Sequence, residues 1–384
     1  MARQLVSTPG ASSPGASSSV RTTRPRPPGS SAASRASDYT ELAVRVKSAG
    51  LLDRRLGWYV MRLTALLAMF AVALVLVFAL GRTWWQLLVA ALFGVLFTQT
   101  AFLAHDSAHR QIFTSGRRNE VFSRIIGNLG VGLSYGWWMT KHSRHHANPN
   151  TVGKDGDIRP GALVFTPEDA ARRTGVAAWL TARQGWFFFP LLLLAGVDLH
   201  RNAALAILRR EVKDPLLEGV LIAVRLVGFT ALVLVALGPV LGGAFIGVQV
   251  AVFGFTMGAT FAPNHKGMRL IAPHERIDYL RRQVLTSRNI TGGWFIRTGM
   301  GGLNYQIEHH LFPSMPSVNL RRVRPIVRAY CAELGVPYTE TSLLRSWMIV
   351  VRYLHRVGIR HADPFDCPAA AAFRTAGGSP GAGV

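Results

Sequence analysis

Polarity changes along the chain in a few long blocks. Four apolar blocks, at about 58–80, 83–104, 216–238 and 240–263, are each long enough to cross a bilayer, which takes about 20 residues for about 30 Å of hydrocarbon. Only Gly81 and Arg82 separate the first pair and only Gly238 and Pro239 the second, so each pair predicts a tight hairpin of two spanning helices. Long Arg-rich segments lie between the pairs and at both ends. Lys and Arg collect on the cytoplasmic side of membrane proteins, which puts both termini and the middle region in the cytoplasm and both hairpin tips outside.

Two shorter apolar stretches remain, Ile125 to Trp138 and Trp186 to Val197. The first is punctuated by Gly127, Gly130 and Gly132 and the second by Pro190, so both predict interfacial or re-entrant helices that cap the membrane surface. Between Asp38 and Gly57, the positions of Leu42, Val46, Leu51 and Leu52 predict a short amphipathic lead-in helix lying on that surface. Residues 1–37 are rich in Ser, Pro, Gly and Arg, and residues 363–384 in Ala, Gly and Pro, so both tails are expected to be disordered. The first has no apolar core of the kind a signal peptide needs. The expected fold is an all-α integral membrane protein: four spanning helices in two hairpins, interfacial helices, and a cytoplasmic helical cap, within one domain over 58–362.

Composition supports this picture. The chain is 49% hydrophobic and 16% charged, with mean hydropathy +0.23, values ordinary for a membrane protein and high for a soluble one. A net charge of +23 would suggest nucleic acid in a soluble protein. No nucleic-acid-binding motif accompanies it, and cytoplasmic Lys and Arg near anionic lipid account for the charge. Cys331 and Cys367 form neither a metal-binding nor a disulfide pattern.

The chemistry lies in three histidine clusters: His105-Asp106-Ser107-Ala108-His109, His142-Ser143-Arg144-His145-His146, and Asn304-Tyr305-Gln306-Ile307-Glu308-His309-His310. Residues three and four apart share a helix face, so His105/His109, His142/His145/His146 and Gln306/His309/His310 each form a group that can grip a metal. Adjacent histidines such as His145 and His146 point roughly 100° apart on a helix of about 3.6 residues per turn, and so can serve two ions across a seam. This predicts a binuclear centre. Imidazole suits Fe, Zn, Cu and Ni alike. The histidine count exceeds what a catalytic zinc takes, and neither His-Glu-x-x-His nor the Glu-x-x-His pairs of a carboxylate-rich bundle occur. The predicted topology puts all three clusters on one side of the membrane. His265 leaves the fourth span at the depth where His105 and His109 leave the second, which makes it a further candidate ligand.

Asp106, Asp155, Asp157 and Glu308 are candidates to accept the second N–H of a ligating imidazole; Asp155 and Asp157 could equally be turn formers. Trp84, Trp85, Trp137, Trp138, Trp186 and Trp294 are expected as interface anchors, with the lining of an apolar tunnel as the second reading. Arg225 is read first as snorkelling towards headgroups and second as an internal partner. Gly243/Gly247 and Gly254/Gly258 predict close helix packing. His200, His274, His355 and His361 have no second histidine at ligand spacing and are read as structural or solvated.

HDSAH, HSRHH and QIEHH resemble the HxxxH, HxxHH and QxxHH boxes of the membrane-bound fatty acid desaturase family, over roughly residues 58–345. The resemblance implies a di-iron enzyme of the cell membrane that uses O2 as co-substrate to insert a double bond into an acyl-CoA or acyl-lipid chain. It carries His105, His109, His142, His145, His146, His309 and His310 over as iron ligands. Similar desaturases use a histidine or asparagine after the fourth span, which bears on His265 and leaves Asn264, like Gln306 and Asp106, as a water-mediated or outer neighbour. The glutamine of QIEHH is similar to that of the front-end and linoleoyl-type subset. No haem-binding His-Pro-Gly-Gly, cysteine cluster or complete Gly-x-Gly-x-x-Gly loop is present. Electrons are therefore expected from a separate ferredoxin or NAD(P)H-reductase type donor. The alternatives are a membrane di-iron hydroxylase and a bis-histidine haem or metal-transport protein.

Overall fold

The computed structural model describes residues 37–359, and the two expected disordered tails and His361 lie outside the described residues, except for Ser37. Within them the chain is mostly helical: α1 Asp38–Ser48, α2 Leu56–Ala79, α3 Gln86–Ala108, α4 Gly116–Arg124, α5 Tyr135–Ala147, α6 Pro167–Ala171, α7 Gly175–Ala182, α8 Gln184–Leu208, α9 Pro215–Leu237, α10 Pro239–His265, α11 Tyr279–Leu285, α12 Trp294–Gly299, α13 Gln306–Leu311, α14 Ser317–Glu333 and α15 Leu343–Gly358. A π-helical segment, Ile125–Val131, continues α4. Two short strands, β1 Asn289–Thr291 and β2 Glu340–Ser342, pair in parallel.

Five helices are long and apolar enough to cross a membrane: α2, α3, α8, α9 and α10. Four of them were expected. The fifth corrects the reading of Trp186–Val197 as an interrupted stretch, because Pro190 sits in the second turn of a helix that runs on to Leu208. As the seventh residue, Pro190 gives up only its own N–H bond to the Trp186 carbonyl, and the helix continues past it.

Helix α3 is the most enclosed of the five. Its Phe93 and Phe97 meet Phe70 of α2 and Phe229 of α9 with ring centroids 5.2–5.9 Å apart. Gln86 closes the turn into it, donating to the carbonyls of Val77 at 2.7 Å and Gly81 at 2.9 Å, which caps the end of α2. Close approach of α10 to α8 is possible because glycines meet: a Cβ on Gly254 would lie 2.2 Å from the Gly196 nitrogen. The packing predicted for Gly254/Gly258 is thus present, with Leu192 over Gly258, whereas a Cβ at Gly243 or Gly247 would meet nothing within 4 Å.

A second apolar core holds the terminal parts together. Leu42 and Val46 of α1 are buried with Leu280, Ile307, Leu320, Val323 and Val327. The lead-in helix therefore turns its apolar face to α11 and α14 and not to lipid, which differs from the surface-lying helix expected.

Candidate metal centre

Each histidine cluster arrives on its own element. His105 sits in the last turn of α3, and His109 follows that helix directly. The second cluster occupies the last turns of α5. The N-terminus of α5 is held from another helix: Ser134 accepts from the Trp137 N–H and donates to Glu218 Oε2 at 2.5 Å, and the Gly136 N–H donates to Glu218 Oε1 at 3.2 Å. A buried carboxylate thus satisfies the first turn of the helix that carries three of the histidines. The third cluster lies on α13, where Asn289 of β1 accepts from the Ile307 N–H at 3.0 Å.

These elements bring the eight candidate histidines together. His105, His109, His142, His146 and His309 each aim one ring nitrogen into a group whose atoms lie within 4.8 Å of one another, and His145, His265 and His310 form a second group on the same criterion. His145 and His146 fall on either side, and His146 stacks on His310 at 4.2 Å where the groups meet. Within the first group, the Nε2 atoms of His109 and His142 are 2.8 Å apart, those of His142 and His146 3.0 Å, and those of His146 and His309 3.2 Å. Adjacent ligands on an octahedral ion at about 2.1 Å would stand about 3.0 Å apart.

Burial lowers the pKa of His109, His142, His146, His309 and His310 well below the usual value, and the neighbouring imidazoles add to it. They are neutral at physiological pH, the form that binds metal.

The second group supplies the sharper test. The Nδ1–H of His145 donates to Asp155 Oδ2 at 2.9 Å, that of His265 to the Thr286 carbonyl at 3.0 Å, and that of His310 to Gln283 Oε1 at 3.0 Å. A neutral imidazole whose Nδ1 donates has a bare lone pair on Nε2. Three such nitrogens are therefore gathered, with His145 and His265 Nε2 only 3.4 Å apart, the Gln306 amide nitrogen 3.0 Å from His265 Nε2, and His310 Nε2 buried without any partner. A cation among them accepts these lone pairs, so the residues fit a metal. His105 Nε2 in the first group is likewise buried without a hydrogen-bond partner.

The remaining candidates sort clearly. Asp106 lies 3.4 Å from His105 Nδ1 and accepts from Ser317 at 2.7 Å and Arg62 at 3.1 Å. Asp155 also accepts from the Asn150 and Asp157 N–H groups, so it forms a turn and holds His145 at once. Gln306 Nε2 is 3.0 Å from His265 Nε2, and Asn264 donates to Gln306 Oε1 at 3.2 Å. Glu308 faces away from every imidazole: it accepts from Asn289 and Tyr338 at 2.8 and 2.5 Å, and burial pushes its pKa up to about 7. His200 donates from Nδ1 to the Gly196 carbonyl, far along α8 from the centre. Arg225 donates to the Gly130 carbonyl and lies over Phe97 at 3.8 Å, an internal partner of the π-helical segment.

Trp138, expected as an interface anchor, stacks on His142 at 4.2 Å and lines an apolar cavity with Ala101, His105, Leu133, Met257 and Phe261. Trp84, Trp85, Trp186 and Trp294 are exposed, as anchors would be. Sequence reasoning missed Glu218, Gln283 and Thr286. A glutamate in the first turn of an otherwise apolar span was a usable signal for the first; nothing local marks the other two.

Comparison with known proteins agrees with this arrangement. The family model for fatty acid desaturase matches residues 82–342, which include all three clusters and His265. The chain is 30% identical to the Delta(5) fatty acid desaturase fat-4 of Caenorhabditis elegans, over 83% of this chain and 73% of that one. It is 29% identical to Delta(8)-fatty-acid desaturase 2 of Arabidopsis thaliana, over 85% of this chain and 76% of that one. It is also 31% identical to the acyl-lipid (9-3)-desaturase of Physcomitrium patens, over 85% of this chain but only 63% of the moss protein. The chain belongs to the fatty acid desaturase family, and it is an oxidoreductase that desaturates acyl chains.

Proposed function

We propose that the chain removes one hydrogen from each of two adjacent methylenes of an acyl chain, at a centre of two iron ions held by His105, His109, His142, His145, His146, His265, His309 and His310. The observation that carries this is the gathering of ring nitrogens of His145, His265 and His310, with His310 Nε2 buried and unpartnered, beside the five-histidine group. Bound iron supplies the redox chemistry with O2 that side chains cannot. Gln306 and Asn264 stand beside His265 as hydrogen-bonding neighbours, and Asp106 and Asp155 fix ring orientation. Reduction of O2 to two waters takes the two C–H hydrogens plus two electrons and two protons. Those electrons come from a separate ferredoxin or NAD(P)H-reductase type donor.

The meeting of the histidines supports a four-span topology. His105 and His265 end α3 and α10, so these helices emerge on one face and α2 and α9 enter from it. The chain between α3 and α9 starts and ends on that face and must cross an even number of times. Helix α8 alone therefore lies against α10 without crossing, and α1, α11, α13 and α14 form the cap. The Arg-rich segments favour the cytoplasmic side of the cell membrane for that face.

The acyl chain approaches the histidines through the apolar cavity beside His105 and Trp138, which at about 40 Å³ must widen to admit it. Packed apolar walls exclude water there and limit which methylenes reach the histidines. The substrate is an acyl-CoA or acyl-lipid, and Gln306, together with the positions in the relatives' names, favours desaturation near the carboxyl end.

Gas chromatography with mass spectrometry of total fatty acids tests the reading, in a bacterial host co-expressing an electron donor and either the intact chain or His145→Ala. A new double bond with the intact chain alone is expected, and its position gives the regiochemistry. An added oxygen in place of a double bond, or no product from the intact chain, would reject it.

A further inference from the structure

A cleft of about 570 Å³, which shares no lining residue with the acyl cavity, opens on the cap, and its wall is cationic. Arg297 of α12 and Arg321, Arg324 and Arg328 of α14 line it with Trp294 and Tyr305. Positions 321, 324 and 328 are three and four apart, so one face of α14 carries all three charges. Glu340 pairs with Arg324 through two contacts at 2.6 and 2.8 Å and with Arg328 at 3.6 Å. Arg297 and Arg321 have no side-chain hydrogen bond or ion pair among the described residues, so the lining carries an unbalanced positive charge around a concave space.

The position of the cleft says what kind of anion fits. Buried Tyr305 in its wall directly precedes Gln306 and the α13 histidines. At its lip Trp294 and Phe295 are 60% and 82% exposed, and the Gly299 carbonyl at the end of α12 accepts from Gln99 of the membrane helix α3 at 3.1 Å. The cleft thus runs from a membrane-embedded helix to the approach to the metal centre. Arginine forks match phosphate oxygens, and an exposed indole offers a face to a base or a glycerol backbone.

We propose that this cleft binds the phosphate-bearing head of the acyl substrate and so sets how far the chain reaches towards the histidines. The proposal rests on the desaturase reading for the identity of the tail, but the cleft's phosphate chemistry is measurable without turnover. A concave site with Arg297 and Arg324 half-buried and Arg321 and Arg328 at its rim suits a small phosphate-bearing head better than the surface of an acidic donor protein. The head could be that of a coenzyme A thioester or of a glycerophospholipid.

The test is calorimetric titration of the purified full chain with coenzyme A in one arm and short-chain dihexanoyl phosphatidylglycerol, below its micelle concentration, in the other. Saturable binding in one arm names the source. The double variant Arg297→Gln/Arg321→Gln should weaken that binding about ten-fold or more, since charge-assisted contacts are lost, while exposed Arg209→Gln leaves it unchanged. Metal content and thermal midpoint check folding, and single Arg321→Gln, on an exposed position, serves if the double variant fails. Absence of binding in both arms, or equal binding by the variants, overturns the cleft. A variant that lost turnover only with a protein donor while binding phosphate normally would overturn it in favour of a docking surface. None of these outcomes touches the product assay that tests desaturation itself.

Discussion

The two histidine groups are built differently. In the group of three, each ring is fixed from behind: Asp155 holds His145, the Thr286 carbonyl holds His265, and Gln283 holds His310. In the group of five, Asp106 approaches His105 at 3.4 Å, while the Nδ1 atoms of His146 and His309 are buried with no partner. A ring held by an outer acceptor has its tautomer and angle set before the metal arrives, and less ordering entropy is lost on binding. The smaller group is thus the preorganised one, and the larger takes its ring orientation mainly from its metal.

Removing a ligand should have the largest effect and should not distinguish the groups. His145→Ala and His309→Ala are both expected to abolish product, because each removes a nitrogen from one side of a shared centre. A variant of either that kept a quarter of the product would break the two-group reading. Chelation separates them. Incubating purified enzyme with a chelator and measuring iron against time should give two phases, the slower belonging to the group of three. A single phase would remove the distinction.

Next comes the support behind each group. Asp155→Asn keeps the shape but loses the charge that holds the His145 Nδ1–H, and should cost about 10- to 100-fold in activity or metal affinity. It should also merge the slow phase of iron release into the fast one. Asp106→Asn should cost less, on the order of ten-fold or below, because its contact with His105 is long and two of its contacts go to Ser317 and Arg62. If Asp106→Asn proved the more damaging, the larger group would be the one set by its surroundings.

Much of this centre was legible in the sequence because its information is local. The spacings in His105-x-x-x-His109 and His142-x-x-His145-His146 fix helix faces by themselves, and hairpins as short as Leu237-Gly238-Pro239 fix which helix ends share a side. His265 could be placed from that parity. The outer partners could not. Gln283 and Thr286 reach His310 and His265 across the fold, from a helix and turn whose sequence carries no periodic mark. Trp138 followed its second reading, as a cavity-lining residue, because an indole beside a glycine-rich stretch reads the same whether it faces lipid or an imidazole. Helix α8 was shortened on paper by Pro190, whose cost depends on its distance from the helix start, a boundary that sequence reads poorly.

The smallest predicted effect belongs to Gln283, and it tests the comparison most finely. Its side chain accepts from His310 Nδ1 and donates to the His146 carbonyl at 3.0 Å each, so it ties the preorganised group to the helix that serves the other one. Gln283→Leu keeps the approximate volume and removes both bonds, leaving a buried carbonyl and a buried N–H unpaired. Neutral hydrogen bonds contribute about 1 kcal/mol each, and an unpaired buried group costs about 1–3 kcal/mol. The thermal midpoint should fall by several degrees with a few-fold loss of activity, while Gln283→Glu, which still accepts from His310, should recover the slow phase of iron release but not the contact to His146. If Gln283→Leu left both phases unchanged, ring fixation from behind would not be what separates the two groups, and their difference would lie in ligand number alone.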